Sequence, residues 1–231
     1  MDDGLPFVLP FVLLPMVLLP ALIVGVLLYQ RHRVKAVRAW AAGTGWTYVG
    51  TDRSMVGRWS GRPFGLGHSK RVSELVVGLF QGRSAASFSY QYTTGSGKSQ
   101  STSTYHVLAL ALPAYLPTLE LTPDGLGAKL AKTFGGQDIV FESEAFNRAW
   151  RVKAGDQKFA HDVVHPRLME RLLWGDAAGM SVRIEGTDVI CWSAGGQRLA
   201  AIGPRLQVMC AIVNAVPRFV WLDHGYDPDT A

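Results

Sequence analysis

Charge is missing from one long stretch of this chain: residues 5–29 contain no Asp, Glu, Lys or Arg. A run of that kind is excluded from an ordinary solvated surface. Cysteine is also scarce, at two in 231 residues, which rules out a disulfide framework and suits a reducing compartment. Cys191 and Cys210 are expected as buried thiols, Cys210 lying on the helical stripe Leu206, Met209, Cys210, Val213. No solenoid repeat is visible. No basic face interleaved with aromatics and no nucleic-acid reading motif occurs, so nucleic acid is not an expected partner. Acids are outnumbered as well. Residues 31–231 hold all 23 Lys and Arg and 16 of the 18 Asp and Glu, a formal charge of +7.

What fills the uncharged stretch is Leu, Val, Ile, Phe and Pro. Twenty-five residues at about 1.5 Å each make a helix of about 37 Å, against a hydrocarbon thickness of about 30 Å. The length fits a tilted membrane span. A cleaved signal peptide fits poorly, because residues 1–4 are acidic, the run is long and no small-x-small site precedes the first arginine. Pro15 and Pro20 each remove an internal helix hydrogen bond, but unpaired backbone in lipid is the worse alternative. Arg31, Arg33, Lys35 and Arg38 follow at once and form a basic collar suited to anionic headgroups at the membrane surface. With no Lys or Arg before the span, the positive-inside rule places the N-terminus outside and the C-terminal bulk in the cytoplasm. The expected organisation is an anchor over 1–30, a juxtamembrane basic helix over 31–45 and a cytoplasmic domain over 46–231, with a subdivision near 122. Six of the seven tryptophans and eight of the ten phenylalanines fall in that domain and give it ample core.

The body reads as α+β: an N-terminal transmembrane helix, then a mixed domain with an antiparallel β-meander and several packed helices. A short strand is expected over 46–49 and a Gly/Pro-rich loop over 57–67. Alternating or apolar runs over 75–80, 86–92 and 105–112 predict the meander, with Phe88, Tyr90 and Tyr92 on one face and Ser87, Ser89 and Gln91 on the other. Residues 93–104, nearly all Thr, Ser and Gly, predict a strand-to-strand tip. Pro113 and Pro117 are expected to close the meander. Further on, the spacing predicts a short strand at 119–121, a helix at 126–134, a strand at 137–141, a helical turn at 144–148 and a strand at 150–153. A helix led by Pro166, a hairpin over 180–193 turning at Gly186-Thr187, and a helix over 204–216 stopped by Pro217 follow. Phe219, Trp221 and Tyr226 read as a final extended segment.

Few groups invite chemistry. Gly95-Ser96-Gly97-Lys98-Ser99 mimics a phosphate loop but has Tyr92 where the first glycine belongs and no helix after it, so no nucleotide is expected. His161 and His165 stand at i and i+4 with Asp162 between, the spacing by which a helix shares a zinc ion. Against a metal there, Asp162 is shorter than the usual Glu, Pro166 disfavours helical geometry at His165, and a third ligand such as Glu170 or His224 would be needed. Glu142 and Glu144 could pair as acid and base, though acids near a helix start are explained by its dipole. Asp223-His224 could serve Cys191, without any sign of a nucleophile elbow. Asn147 is expected to satisfy backbone groups. No cofactor is expected.

Residues 141–173, FESEAFNRAWRVKAGDQKFAHDVVHPRLMERLL, resemble a family of bacterial, actinobacterial-type single-pass membrane proteins of unknown function. Its shared block has a like turn, Phe-Asn-Arg, a short strand and a Pro-led helix. The resemblance implies the plan of anchor followed by α+β domain and implies no catalytic residue. The reading that results is a membrane-anchored binding or scaffold module whose partners are the bilayer and a protein at its surface. Two alternatives stand beside it: a membrane-tethered metal-dependent hydrolase using His161 and His165, and a structural subunit of a membrane complex.

Overall fold

The computed structural model describes residues 5–124 and 138–230, with side chains from Pro20 onward. The chain begins with one continuous helix, α1 (Leu5–Thr44). Counting only residues whose side chains are described, no helix is long and apolar enough to cross a membrane; the side chains of the expected span before Pro20 lie outside that count. Among those that are described, Leu22, Ile23, Val24, Val26, Leu27, Leu28 and Tyr29 are all exposed. Near-consecutive positions at about 100° per residue cover every side of a helix, so this stretch packs on no described part of the domain. The foot of the same helix is different. Val37 and Ala41 are buried in the domain core, so the expected juxtamembrane segment is part of the globular body.

Six strands form one antiparallel sheet: β1 (Thr47–Gly50), β2 (His68–Phe80), β3 (Arg83–Thr94), β4 (Ser101–Pro123), β5 (Trp150–Ala154) and β6 (Ser181–Ala194). β1 to β4 make the expected meander, each pairing with the next. The β2–β3 connection is two residues, Gln81 and Gly82, both with positive φ, as the twist of a tight hairpin requires. β4 is the axis of the fold. On one edge its first part pairs with β3 and its last part with β5, while β6 runs along the other edge from Tyr105 to Leu121.

Two sequence readings are corrected here. Pro113 and Pro117 do not end the meander; β4 continues through both to Pro123, and the register with β6 slips on either side of Leu116. A strand carries proline at such bulges because no ladder hydrogen bond is asked of it there. Residues 180–193 do not form a hairpin. β6 is one strand, and Gly186 (φ +66) sits opposite Leu116 as a bend. β4 offers partners beyond the glycine on both sides, Ala111 to Asp188 and Leu119 to Ile184, so pairing with β4 wins over local closure. Strand β4 also crosses position 122 within the same sheet. The tip between β3 and β4 is shorter than read, since the strands extend to Thr94 and from Ser101. The helix expected over 126–134 lies outside the described residues. Of the strand expected at 137–141, a single bridge from Ile139 to Val152 is seen.

Both faces of the sheet are covered. One face carries α1's foot with α2 (Glu144–Ala149), α3 (Gln157–Val163), α4 (Pro166–Leu172), α5 (Ile202–Ala215) and α6 (Arg218–Asp223) over Leu108, Leu110, Leu119, Leu121 and Cys191. Local signals explain these helices. Ser143 and Asp156 accept from the Phe146 and Phe159 backbone amides as N-caps, and Pro166 opens α4. Pro217 ends α5 and also leads α6, where Val220 and Trp221 are buried. Phe219 and Trp221 therefore lie on a helix, in place of the expected extended segment, and Tyr226 follows it in the coil, packed on Trp221. Among the described residues the other face carries no α-helix, only the 3-10 turn Arg53–Met55. Met55, Trp59 and Phe64, from residues 51–67, close over Phe88, Tyr90, Tyr92 and Trp192.

Candidate functional site at the foot of the first helix

Where α1 meets the sheet, β2 is distorted. Its register with β3 slips between Ser73 and Val76, and Glu74 stands at φ +58, a conformation costing about 1–3 kcal/mol for a non-glycine residue. The strained turn aims the Glu74 carboxylate at α1. Arg33 receives it with both arms of its guanidinium, Nε to Oε1 and Nη2 to Oε2 at 2.9 Å, and Nη2 also donates to the Gln197 carbonyl at 2.6 Å. That pairing raises the Arg33 pKa above its usual value against the effect of burial. One clamp thus joins α1, β2 and the segment after β6.

The clamp leads inward through polar side chains. Ser89 donates to Glu74 at 2.9 Å and accepts from the Gln197 amide, also at 2.9 Å. Gln197 Nε2 reaches Ser87 at 2.9 Å, and Ser87 meets His106 Nε2 at 3.0 Å. The Arg198 amide and Arg205 Nη1 both point at His106 Nδ1, at 3.4 and 3.3 Å. Two donors at Nδ1 assign the ring proton to Nε2. Burial first, and then the charges of Arg205, Arg198 and Arg33, push the His106 pKa down to about 3. The ring is a neutral linker. Ser87 and Ser89, expected on the face of β3 opposite Phe88, Tyr90 and Tyr92, are both buried in this network. Sequence reasoning missed it because its members come from α1, β2, β3, β4 and α5. The one local sign was serine alternating with aromatics over 86–92.

The collar divides. Arg33 turns back onto the domain, whereas Arg31, Lys35 and Arg38 are exposed, Arg38 lying over the Tyr48 ring at 4.8 Å. His161 is exposed and packs on Phe141 at 4.9 Å between ring centroids, while His165 is the N-cap residue of α4 without a side-chain cap bond. The helical register between them is broken at Val164, and among the described residues no three His, Cys, Asp or Glu gather as metal ligands. Glu144 opens α2, with Arg148 at 3.9 Å on an exposed face. Asn147 clamps the Phe141 backbone, accepting at 3.0 Å and donating at 2.6 Å, the backbone role read from sequence. Cys191 is fully buried and burial pushes its thiol up to about 12, which removes it as a nucleophile for Asp223-His224. Residues 97–99 form a lone turn between strands with no cap bond from Ser96, so successive amides do not converge on a phosphate there.

On the opposite face Arg183, fully buried, meets Glu120 and Glu185 and donates to the Ser60 and Arg62 carbonyls, with its guanidinium 5.1 Å from the Trp192 ring. Asp188 accepts from Arg58 and from Trp59 Nε1, each at 2.9 Å. These pairs pin residues 58–62 over the aromatic core. A groove of about 730 Å³ lies between the β2–β3 turn and α6, lined by Arg83, Leu112, Asn214 and Trp221 among others.

No family model and no curated protein matches this chain. Among solved structures it is similar to the crystal structure of the mycobacterial trehalose monomycolate transport factor A, TtfA, with a TM-score of 0.59 at 13% identity over 80% of this chain and 96% of that one. At that identity the likeness is one of fold.

Proposed function

We propose that this is a single-pass membrane protein whose α+β domain is held at the inner membrane surface and acts there as a binding or scaffold factor. The observation that carries the reading is the two-part character of α1. Its exposed stretch around 22–29 is apolar on every side, and a helix apolar all round belongs in a membrane or inside an assembly. Its foot is clamped by Arg33 and buried at Val37 and Ala41, so whatever holds the upper helix fixes the domain beneath it. Arg31 and Lys35, exposed at the junction, have the charge and place for anionic headgroups. The orientation, N-terminus outside, follows from basic residues after the uncharged stretch and none before it.

TtfA is by name a transport factor for trehalose monomycolate. From that shared fold we take the class alone, an accessory factor of a transport process. Cell fractionation tests the proposal: the full-length protein should pellet with membranes and resist carbonate extraction, and protease added outside intact cells should leave the domain whole. Recovery in the soluble fraction, or digestion of the domain from outside, overturns it.

A further inference from the structure

We propose that the cluster of Arg198, Arg205, Ser193 and His106 at the head of α5 binds a phosphate-type oxyanion, carried on a lipid headgroup or free in solution. Arg205 is the reason. Its side chain is only 7% exposed, yet among the described residues no carboxylate pairs with it. Its one hydrogen bond goes to the neutral His106 ring, at 3.3 Å, an acceptor already shared with the Arg198 amide. The nearest acid in the network, Glu74, is occupied by Arg33 and Ser89. The segment over 125–137 contains no Asp or Glu at all.

A buried guanidinium without a counter-charge is strongly disfavoured, and proteins retain one where something anionic completes it. This chain shows the ordinary solution elsewhere, giving Arg183 two carboxylates. Around Arg205 the surroundings add positive charge. Arg198 is exposed at the mouth and close enough for the two guanidinium charges to oppose each other, while its Nη2 rests on Ser193 Oγ at 3.3 Å. Arg205 follows the helical turn Leu199–Ala201, which runs without a break into α5 and whose start at Arg198 has no side-chain cap and no acid, so no negative charge opposes the helix dipole there. Two guanidinium forks, a hydroxyl and a helix start suit a dianionic phosphate better than a single carboxylate. The site stands whether or not α1 spans a bilayer.

The test uses the full-length protein in detergent micelles with two probes, inorganic phosphate and a short-chain phosphatidic acid, and with the matching neutral diacylglycerol as control. Saturable binding should raise the melting temperature and shift the His106 ring resonances, because a bound anion offsets the arginine charges around the ring. Response to phosphate itself identifies a free-phosphate site; response to phosphatidic acid alone identifies a headgroup site. Arg205→Met should weaken binding at least tenfold while leaving the melting temperature without ligand unchanged or higher, since it removes an uncompensated charge. If that variant fails to fold, the exposed Arg198→Ala should still weaken binding several-fold. No saturable response to either charged probe, equal response to diacylglycerol, or unchanged affinity in both variants overturns the proposal.

Discussion

The two faces of the sheet bury charge in opposite ways. Beneath residues 58–62 the two buried charges of the sheet meet opposites: Arg183 has Glu120 and Glu185, and Asp188 has Arg58. Beneath the helices, three arginines approach His106 with Glu74 as the one carboxylate in the network. The Arg183 and Asp188 pairs act as pins, although Arg62 Nε beside them is buried without a hydrogen-bond partner. The arrangement beneath the helices is completed only by something added, and it lies where α1 enters the domain. The contrast separates a structural polar cluster from a functional one without reference to any motif.

The largest expected effect comes from spoiling the paired face. Arg183→Ala leaves Glu120 and Glu185 mostly buried without their cation and frees the Ser60 and Arg62 carbonyls. Breaking a buried pair by removing one partner costs about 3–5 kcal/mol. Urea unfolding followed by the fluorescence of Trp59 and Trp192 should show that loss; a change below about 1 kcal/mol would mean that the aromatic core alone holds residues 51–67.

The faces should also fail at opposite ends of the pH scale. His106 is neutral in the fold down to about pH 3, whereas in the unfolded chain it takes a proton near its ordinary value of 6.5. Its depressed pKa means that the associated stability is present above about pH 6.5 and drains away as pH falls toward 3, at up to about 1.4 kcal/mol per pH unit. His106→Gln should flatten that acid limb in a denaturation series. Tyr90 and Tyr105 on the aromatic face behave in the other sense. Burial, with the neighbouring Tyr92, raises both to about 12. Their share of stability is intact below pH 10 and falls as pH rises from there, so Tyr105→Phe should soften the alkaline limb and leave the acid one unchanged.

How much of this was legible in sequence follows from range. The meander, the Pro-led α4, the short α2 and the buried cysteines rest on local signals, such as period-two alternation, N-caps and helical spacing, and they appear in the structure. The 180–193 hairpin and the stop at Pro113 also rested on local signals, and there the long β4 strand overrode them by offering partners across each bend. The polar network could not be read at all. Arg33 and Gln197 are 164 positions apart, and no pattern along the chain announces that they will share a clamp. His161 and His165 drew attention because they are close in sequence, although they sit on either side of a helix break and, among the described residues, no third ligand joins them.

The smallest effect is expected at the clamp itself, and it is informative for being small. Glu74→Gly deletes the ion pair to Arg33, a group about a third exposed, whose contribution is therefore limited to about 1 kcal/mol. The same change relieves the φ +58 conformation, worth about 1–3 kcal/mol in the opposite direction. Net stability should thus stay within about 1–2 kcal/mol of the parent, with the sign favouring the glycine. Orientation should not be spared. Spin labels at Lys35 on α1 and at Lys98 on the β3–β4 turn should give a broader distance distribution in Glu74→Gly than in the parent, because Val37 and Ala41 keep the helix seated while the single Arg33–Gln197 hydrogen bond is left to fix its tilt. A distribution as narrow as the parent's would assign the fixing of α1 to its apolar foot, and the strained glutamate would then serve the network under His106 alone.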